Sequence, residues 1–258
     1  MTTSRTTASV AFRKLRGIIL VSAILLRGLE AGGPPPDLAR RVARRATETR
    51  QARDHYTYRQ SVIVEELGPR GARAGEYREV REVIFSPQQE RIEQLVGKPF
   101  ENLKRLKLTE EDFRDIREVQ PFLFDSEQLW AYETRFKGEE NVDGVDCYIL
   151  QVRPRQILAG QRLFDGLLWV STEDYSIVRT QGKAVPEIRG TGPGEENLFP
   201  AFTTLWGEVE GNYRFPVHTH ADDVLDFRVG PQRIRLTIRY TNYQRFGAES
   251  TVKFGEQK

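Results

Sequence analysis

VDCYILQVRPRQILAGQRLFDGLLWVSTEDYSIVRTQGKAV, residues 145–185, is the stretch that decides the fold class. Three short runs in it, 145–153, 164–171 and 175–183, are rich in β-branched and aromatic residues, which suit the pleated, half-buried surface of a strand. The last two flank Thr172, Glu173 and Asp174, a polar step short enough for a hairpin. In the first run Cys147 and Ile149 alternate with Tyr148, Leu150 and Val152, so both faces are apolar. That pattern fits a central strand with one face toward a cavity and the other under cover, and Trp169 and Ile177 on the next two runs are read as continuing this surface.

The same signature recurs on both sides. Upstream, 56–66 (YTYRQSVIVEE), 76–86 (EYREVREVIFS) and 90–96 read as strands, with breaks at 68–71 (GPRG) and at Ser86 and Pro87. Residues 130–137 (WAYETRFK) resume the strands, and 138–141 (GEEN) read as a break. Downstream, 202–210 and 213–219 are joined by Gly211 and Asn212, a tight-turn pair. The cleanest alternation is at 233–244: Ile234, Leu236, Ile238 and Tyr240 share one face, and Arg233, Arg235, Thr237 and Arg239 the other. Two helices interrupt the pattern. Asp37 opens the first, with Leu38, Val42, Ala46 and Ala52 on a thin apolar side and Arg40, Arg41, Arg44, Arg45 and Arg50 opposite, a face for solvent or for anionic membrane. Acidic residues 110–112 after Thr109 open the second, which runs to about Glu118. The apolar knot 121–124 (PFLF) after it is placed as a plug at one end of the sheet.

Composition bounds the function. Of 258 residues, 38% are hydrophobic and 29% charged, the balance of a β-protein with solvated outer faces. The net charge of +2 averages two regions. Residues 1–33 hold Arg5, Arg13, Lys14, Arg16 and Arg27 against Glu30, and removing them leaves 34 basic against 36 acidic residues, which gives no electrostatic case for nucleic acid. The basic cluster precedes 17–26 (GIILVSAILL), an apolar run of signal-peptide length. Residues 1–33 are therefore expected to export the chain to the periplasm, with an uncleaved inner-membrane anchor as the alternative. Residues 34–258 are expected to form one domain. The single cysteine, Cys147, rules out an internal disulfide and sits in an apolar run, as a small buried hydrophobe does.

Catalytic constellations are sparse. His218, His220 and Asp222 alternate along one strand, a spacing that zinc or copper could use, but no third histidine is near and Phe215 and Val217 place the trio on the wet face. No Gly-x-Ser-x-Gly elbow is present, and no histidine stands near Cys147 in sequence to activate it. The glycine-rich segment 186–197 is no phosphate loop, because Pro193 lacks a donor and no helix follows. These observations assign no catalytic residue, no metal ligand and no cofactor. The aromatic strand residues, Tyr56, Tyr58, Tyr77, Phe85, Trp130, Tyr132, Trp169 and Trp206, fit either a packed core or a sheet face that receives an acyl chain.

The runs 142–154 (VDGVDCYILQVRP), 166–171 (GLLWVS) and 175–179 (YSIVR), preceded by Tyr132, Arg135, Phe136, Gly138 and Glu139, resemble the outer-membrane lipoprotein-sorting (LolA-like and LolB-like) superfamily. Residues 212–216 (NYRFP) and 238–243 (IRYTNY) fit the same pattern, so the resemblance spans roughly 56–246. The charged pair Glu79 and Arg81 and the long loop at 189–197 depart from the compact members. The resemblance implies a mostly β, α+β fold: a curved antiparallel sheet forming an incomplete barrel, closed by an N-terminal helix and a helical insertion. It implies a non-enzymatic periplasmic carrier that holds a lipid or lipoprotein acyl group on the concave face. The alternative is an envelope sensor or protein-interaction module without a lipid. The expected cavity lining is Tyr148, Leu150, Val152, Trp169, Ile177, Trp206, Ile234, Leu236, Ile238 and Tyr240.

Overall fold

Residues 33–86, 90–189 and 196–246 are described by the computed structural model. The signal-like segment up to residue 32 and the centre of the glycine-rich loop, 190–195, lie outside the described residues. The first helix, α1 (Leu38–Arg53), buries Leu38, Val42, Ala43, Ala46 and Thr49, one stripe at helical spacing. Four strands follow: β1 (Tyr56–Leu67), β2 (Arg73–Phe85), β3 (Arg91–Leu95) and β4 (Phe100–Glu101). The short helix α2 (Glu110–Arg114) runs on as a π-helical turn, Asp115–Val119. Then come β5 (Tyr132–Val142), β6 (Val145–Pro154), β7 (Leu163–Ser171), β8 (Ile177–Val185), β9 (Ile188–Arg189), β10 (Glu196–Asn197), β11 (Phe202–Val209), β12 (Tyr213–Phe227) and β13 (Gly230–Arg245).

Eleven strands make one antiparallel sheet in the order β3-β2-β1-β13-β12-β11-β8-β7-β6-β5, with β4 beside β2, and β9 and β10 form a separate ribbon. The first long strand pairs with the last, Val62 opposite Ile238 and Val64 opposite Leu236, so β1 and β13 lie side by side in mid-sheet. Among the described residues no ladder joins β3 to β5. The sheet is therefore an incomplete barrel, and α1, the α2 region and the buried Phe122, Leu123 and Phe124 cover one of its faces. Strand β13 alternates as its sequence dictates, with Ile234, Leu236, Ile238 and Tyr240 buried and Arg233, Arg235 and Arg239 exposed.

A cross-strand glycine pair lets the aromatic plug seat. Gly166 lies opposite Gly182 on β7 and β8, and a Cβ on Gly166 would stand 2.6 Å from the Phe164 ring and 2.3 Å from the Gln181 carbonyl. The Phe164 ring occupies that space and stacks on Phe122 at 4.6 Å. Glycine supplies the close approach here, and the ring covers the bare backbone.

Three readings of the sequence are corrected. Strand β5 does not break at 138–141: Gly138, at φ 139°, forms a bulge against Leu150 and Ile149, and pairing continues to Val142. The turn falls instead at Asp143 and Gly144, both at positive φ, where the Asn141 Oδ1 accepts the Gly144 N–H at 3.0 Å. Tyr175 belongs to the β7–β8 turn rather than to a strand. It sits at φ 61°, after Ser171 Oγ has accepted the Glu173 and Asp174 amides and Asp174 Oδ1 that of Ser176. The arginine face of α1 is largely engaged with the protein itself. Arg41 lies over the Tyr175 ring, Arg45 pairs with Asp174 at 3.0 Å, and Arg50 pairs with the buried Asp125 at 2.8 Å. Arg40 and Arg44 remain exposed. No helix among the described residues is long and apolar enough to cross a membrane.

Candidate functional site

The centre of the covered face is packed, and open volume remains at the end where β1, β12 and β13 meet two irregular segments. Glu66 is the penultimate residue of β1, and its side chain points under the connection that follows β4. Its carboxylate, almost fully buried, accepts the backbone N–H groups of Lys104 at 2.8 Å, Arg105 at 2.6 Å and Leu106. A buried carboxylate must find donors, and three consecutive amides supply them. Asn102 adds a second tether, accepting the Glu76 N–H through its side chain and donating its own N–H to the Glu76 carbonyl. Gly75 makes room, since a Cβ there would lie 2.8 Å from the Asn102 carbonyl and 2.9 Å from Glu66. Residues 102–108 thus form a strap across the sheet end.

The strap runs into α2, where Thr109 and Asp112 form a reciprocal capping box. Asp112 Oδ1 also receives the Asn197 side-chain amide at 2.9 Å, which ties the segment 197–200 to the helix start. Burial pushes the Asp112 carboxyl up to about 6, against hydrogen bonds from Thr109 that favour the ionised form. One turn later, Asp115 and Arg162 form an ion pair in which neither side chain is more than 3% exposed. Arg162 also donates to the Pro186 carbonyl, which fixes the helix to the β7 and β8 ends.

These two straps and the β12–β13 hairpin enclose a cavity of about 260 Å³. Leu106, Leu108, Ile116, Leu198, Phe199, Leu225, Phe227, Ile234 and Leu236 give it an apolar wall, with Arg105, Lys107, Arg228, Glu196 and Asp112 at polar positions. Of the ten residues expected to line a cavity, two do: Ile234 and Leu236. Leu150, Val152, Ile177, Trp206, Ile238 and Tyr240 are buried in the main core, and Tyr148 packs against its edge. Trp169 is on the opposite face: it pairs with Ile149, packs with Cys147, Val142 and Val178, and donates its indole N–H to Glu140 at 2.8 Å. Strict alternation explains this, because the core-facing Leu150 is opposite Leu168, one residue off from Trp169. The straps were invisible to periodicity, since they are held by the buried Glu66 and by Asn102 and Asn197 rather than by an apolar pattern.

The histidine pair carries no such arrangement. His218 and His220 stack with ring centroids 5.7 Å apart, and burial, with His220 beside it, pushes the His218 imidazole below its ordinary value. Asp222 is held by Arg233 at 2.7 Å and Arg235 at 2.8 Å, which keep its carboxyl below the usual range. Among the described residues no group of three histidine, cysteine or acidic side chains is placed to hold a metal ion. Cys147 is buried and its thiol is pushed up to about 11 by that burial. Glu79 and Arg81, the charged pair on β2, close on each other at 2.9 Å with the Tyr77 hydroxyl donating to Glu79 at 2.8 Å, and Arg81 reaches on to Glu93 of β3 at 3.1 Å.

Solved structures that this chain resembles include DUF1329 and LolA superfamily proteins and an outer-membrane lipoprotein-sorting domain. A DUF1329 family protein from Desulfovibrio piger matches with a TM-score of 0.40 at 14% identity, over 84% of this chain and 95% of that one. A LolA superfamily protein from Nitrosomonas europaea gives 0.34 at 13%, over 78% and 94%. An outer membrane lipoprotein-sorting protein domain from Vibrio parahaemolyticus gives 0.36 at 11%, over 80% and 93%. No protein-family model matches the chain, and no curated protein does. At TM-scores below 0.5, these likenesses transfer neither ligand nor partner to this chain.

Proposed function

We propose that this chain is a non-enzymatic periplasmic binding protein that holds an acyl chain in the cavity beneath the 102–108 strap. The observation that carries the reading is the cavity itself: about 260 Å³ of apolar-walled space in a domain whose centre is otherwise filled. Burying an aliphatic chain there stabilises the complex by about 0.8 kcal/mol per methylene. The basic cluster and apolar run at 13–26 support export. The test is titration of the purified domain with a fluorescent long-chain fatty acid, beside lipid extraction from protein isolated from its own envelope. Saturable one-to-one binding, abolished by the cavity-filling Leu225→Trp with the thermal midpoint preserved, is the expected result. Absence of saturable binding and of co-purifying lipid overturns the reading.

A second reading, a protein-interaction module on the same fold, has one observation in its favour. The edge strand β3 exposes Ile92 and Leu95, with Val96 and Phe100 beside them, each between 42% and 44% accessible. An apolar edge with unpaired backbone groups is a template for another strand. Capture of one stoichiometric envelope protein, lost in Ile92→Lys and retained in Leu225→Trp, would favour this reading over the first.

A further inference from the structure

The acyl-binding reading leaves open what the rest of the ligand is, and the mouth of the cavity bears on that. Three cations stand there, Arg105, Lys107 and Arg228, all exposed. Some arginines elsewhere on this surface are answered by acids, Arg59 by Glu82 and Arg233 and Arg235 by Asp222, while others, Arg40, Arg44, Arg135 and Arg239, stand singly on α1 or on open strand faces. Among the described residues, only at this mouth do three such cations border an apolar cavity. Among the described residues these three have no carboxylate within ion-pair distance. The Arg105 guanidinium reaches only the carbonyls of Val229 and Pro231, at 3.5 Å. The two acids at the same mouth are already committed. Glu196 accepts the Arg228 backbone N–H at 3.0 Å and faces Arg189 at 3.8 Å, while Asp112 is held by Thr109 and Asn197. Val229 stands beside the cations with 76% of its surface exposed, an apolar side chain at the entrance.

An apolar hole with uncompensated positive charge at its rim matches a molecule with a hydrocarbon tail and a negative head. The volume limits the tail. At roughly 30 Å³ for each water-sized group, the cavity takes about nine such groups, and a methylene is of similar size. One chain fits, and several side by side do not.

We infer that the cavity binds a single-chain amphiphile with an anionic head group, its chain beneath the strap and its head on Arg105, Lys107 and Arg228. This rests on the acyl-binding reading and narrows it, since it excludes a multiply acylated ligand and a neutral or cationic one. The head is a carboxylate or a phosphate ester, as in a free fatty acid or a lysophospholipid. Both are mono-anionic or di-anionic oxygen acceptors for guanidinium and ammonium donors.

The experiment is calorimetric titration of the full chain with five ligands sharing one twelve-carbon chain: the carboxylate, the phosphate monoester, a lysophosphatidylglycerol, the neutral alcohol and the trimethylammonium. The expected result is tenfold or tighter binding of at least one anion over the alcohol, a preference that shrinks as salt is raised from about 0.05 to 0.5 M. In Arg105→Gln with Lys107→Gln and Arg228→Gln, the anions should fall to the alcohol's affinity while the alcohol itself is unchanged. The tighter anion identifies the source, fatty acid for the carboxylate and phospholipid for the phosphates. Equal affinity for alcohol and anions overturns this inference and leaves the acyl-binding reading standing. A failure of every ligand, the alcohol included, overturns both.

Discussion

The buried carboxylate of Glu66 accepts the backbone N–H of Arg105 at 2.6 Å, with the amides of Lys104 and Leu106 on either side. One side chain at the end of β1 therefore positions the strap that roofs the cavity and carries Arg105 and Lys107 to its rim. Glu66→Gln keeps the shape but turns one oxygen into an NH₂ that faces a donor. The expected loss is about 1–3 kcal/mol, from a buried donor left without an acceptor. Hydrogen exchange at the 104–106 amides should accelerate, with those of the β6–β7 ladder unaffected. Unchanged exchange at 104–106 would show that the strap is held by other contacts.

Asp112 gives the strap's far end a pH dependence. Its carboxyl is raised to about 6 by burial, whereas in the unfolded chain it ionises near 4. A raised folded value means that this contribution to stability is complete below about pH 4 and is lost as pH rises through about 6. About two units correspond to roughly 3 kcal/mol at most. Asp112→Asn has no such proton to lose. Between pH 4 and 7 the difference in denaturation midpoint should therefore move in the variant's favour, and parallel profiles would refute the shift.

Arg162 and Asp115 are coupled without water between them, at side-chain exposures of 3% and 0%. Arg162→Met leaves the Asp115 carboxyl without its cation in a place where burial already raises its pKa. The expected loss is about 3–5 kcal/mol in urea denaturation, largely recovered in Arg162→Met with Asp115→Leu, because an apolar pair removes the stranded charge. Equal losses in the single and double variants would mean that packing rather than charge dominates.

At the other end of the plug, Gly166→Ala drives a methyl group toward the Phe164 ring and the Gln181 carbonyl. The midpoint of denaturation should fall by the equivalent of about 3 kcal/mol, with an unchanged denaturant slope. A variant as stable as the parent would mean that the sheet relaxes to admit the methyl.

Strand by strand, the sequence was legible wherever one face met the core and the other met water. The alternation of Ile234, Leu236, Ile238 and Tyr240 with arginines fixed both the existence and the facing of β13, since a one-residue slip would bury three guanidinium groups. Polar residues beyond a glycine concealed the second half of β5, because edge strands carry charge by preference and look like loops. The sequence does not fix the facing of Trp169, because a strand apolar on both sides offers no polar residue to set its phase.

The sequence by itself determined a chain of long antiparallel strands with one dominant buried face, broken by a first helix and a helical insertion. Local periodicity and turn chemistry suffice for that, as they act between neighbours. Only the tertiary structure decided where space remains. Phe122, Phe124, Phe164 and Phe202 fill the centre of the covered face, and Glu66, Gly75, Asn102 and Asn197 hold two straps off the sheet end. Those residues are far apart in the chain, and a cavity is what their packing leaves over, a quantity no stretch of sequence carries.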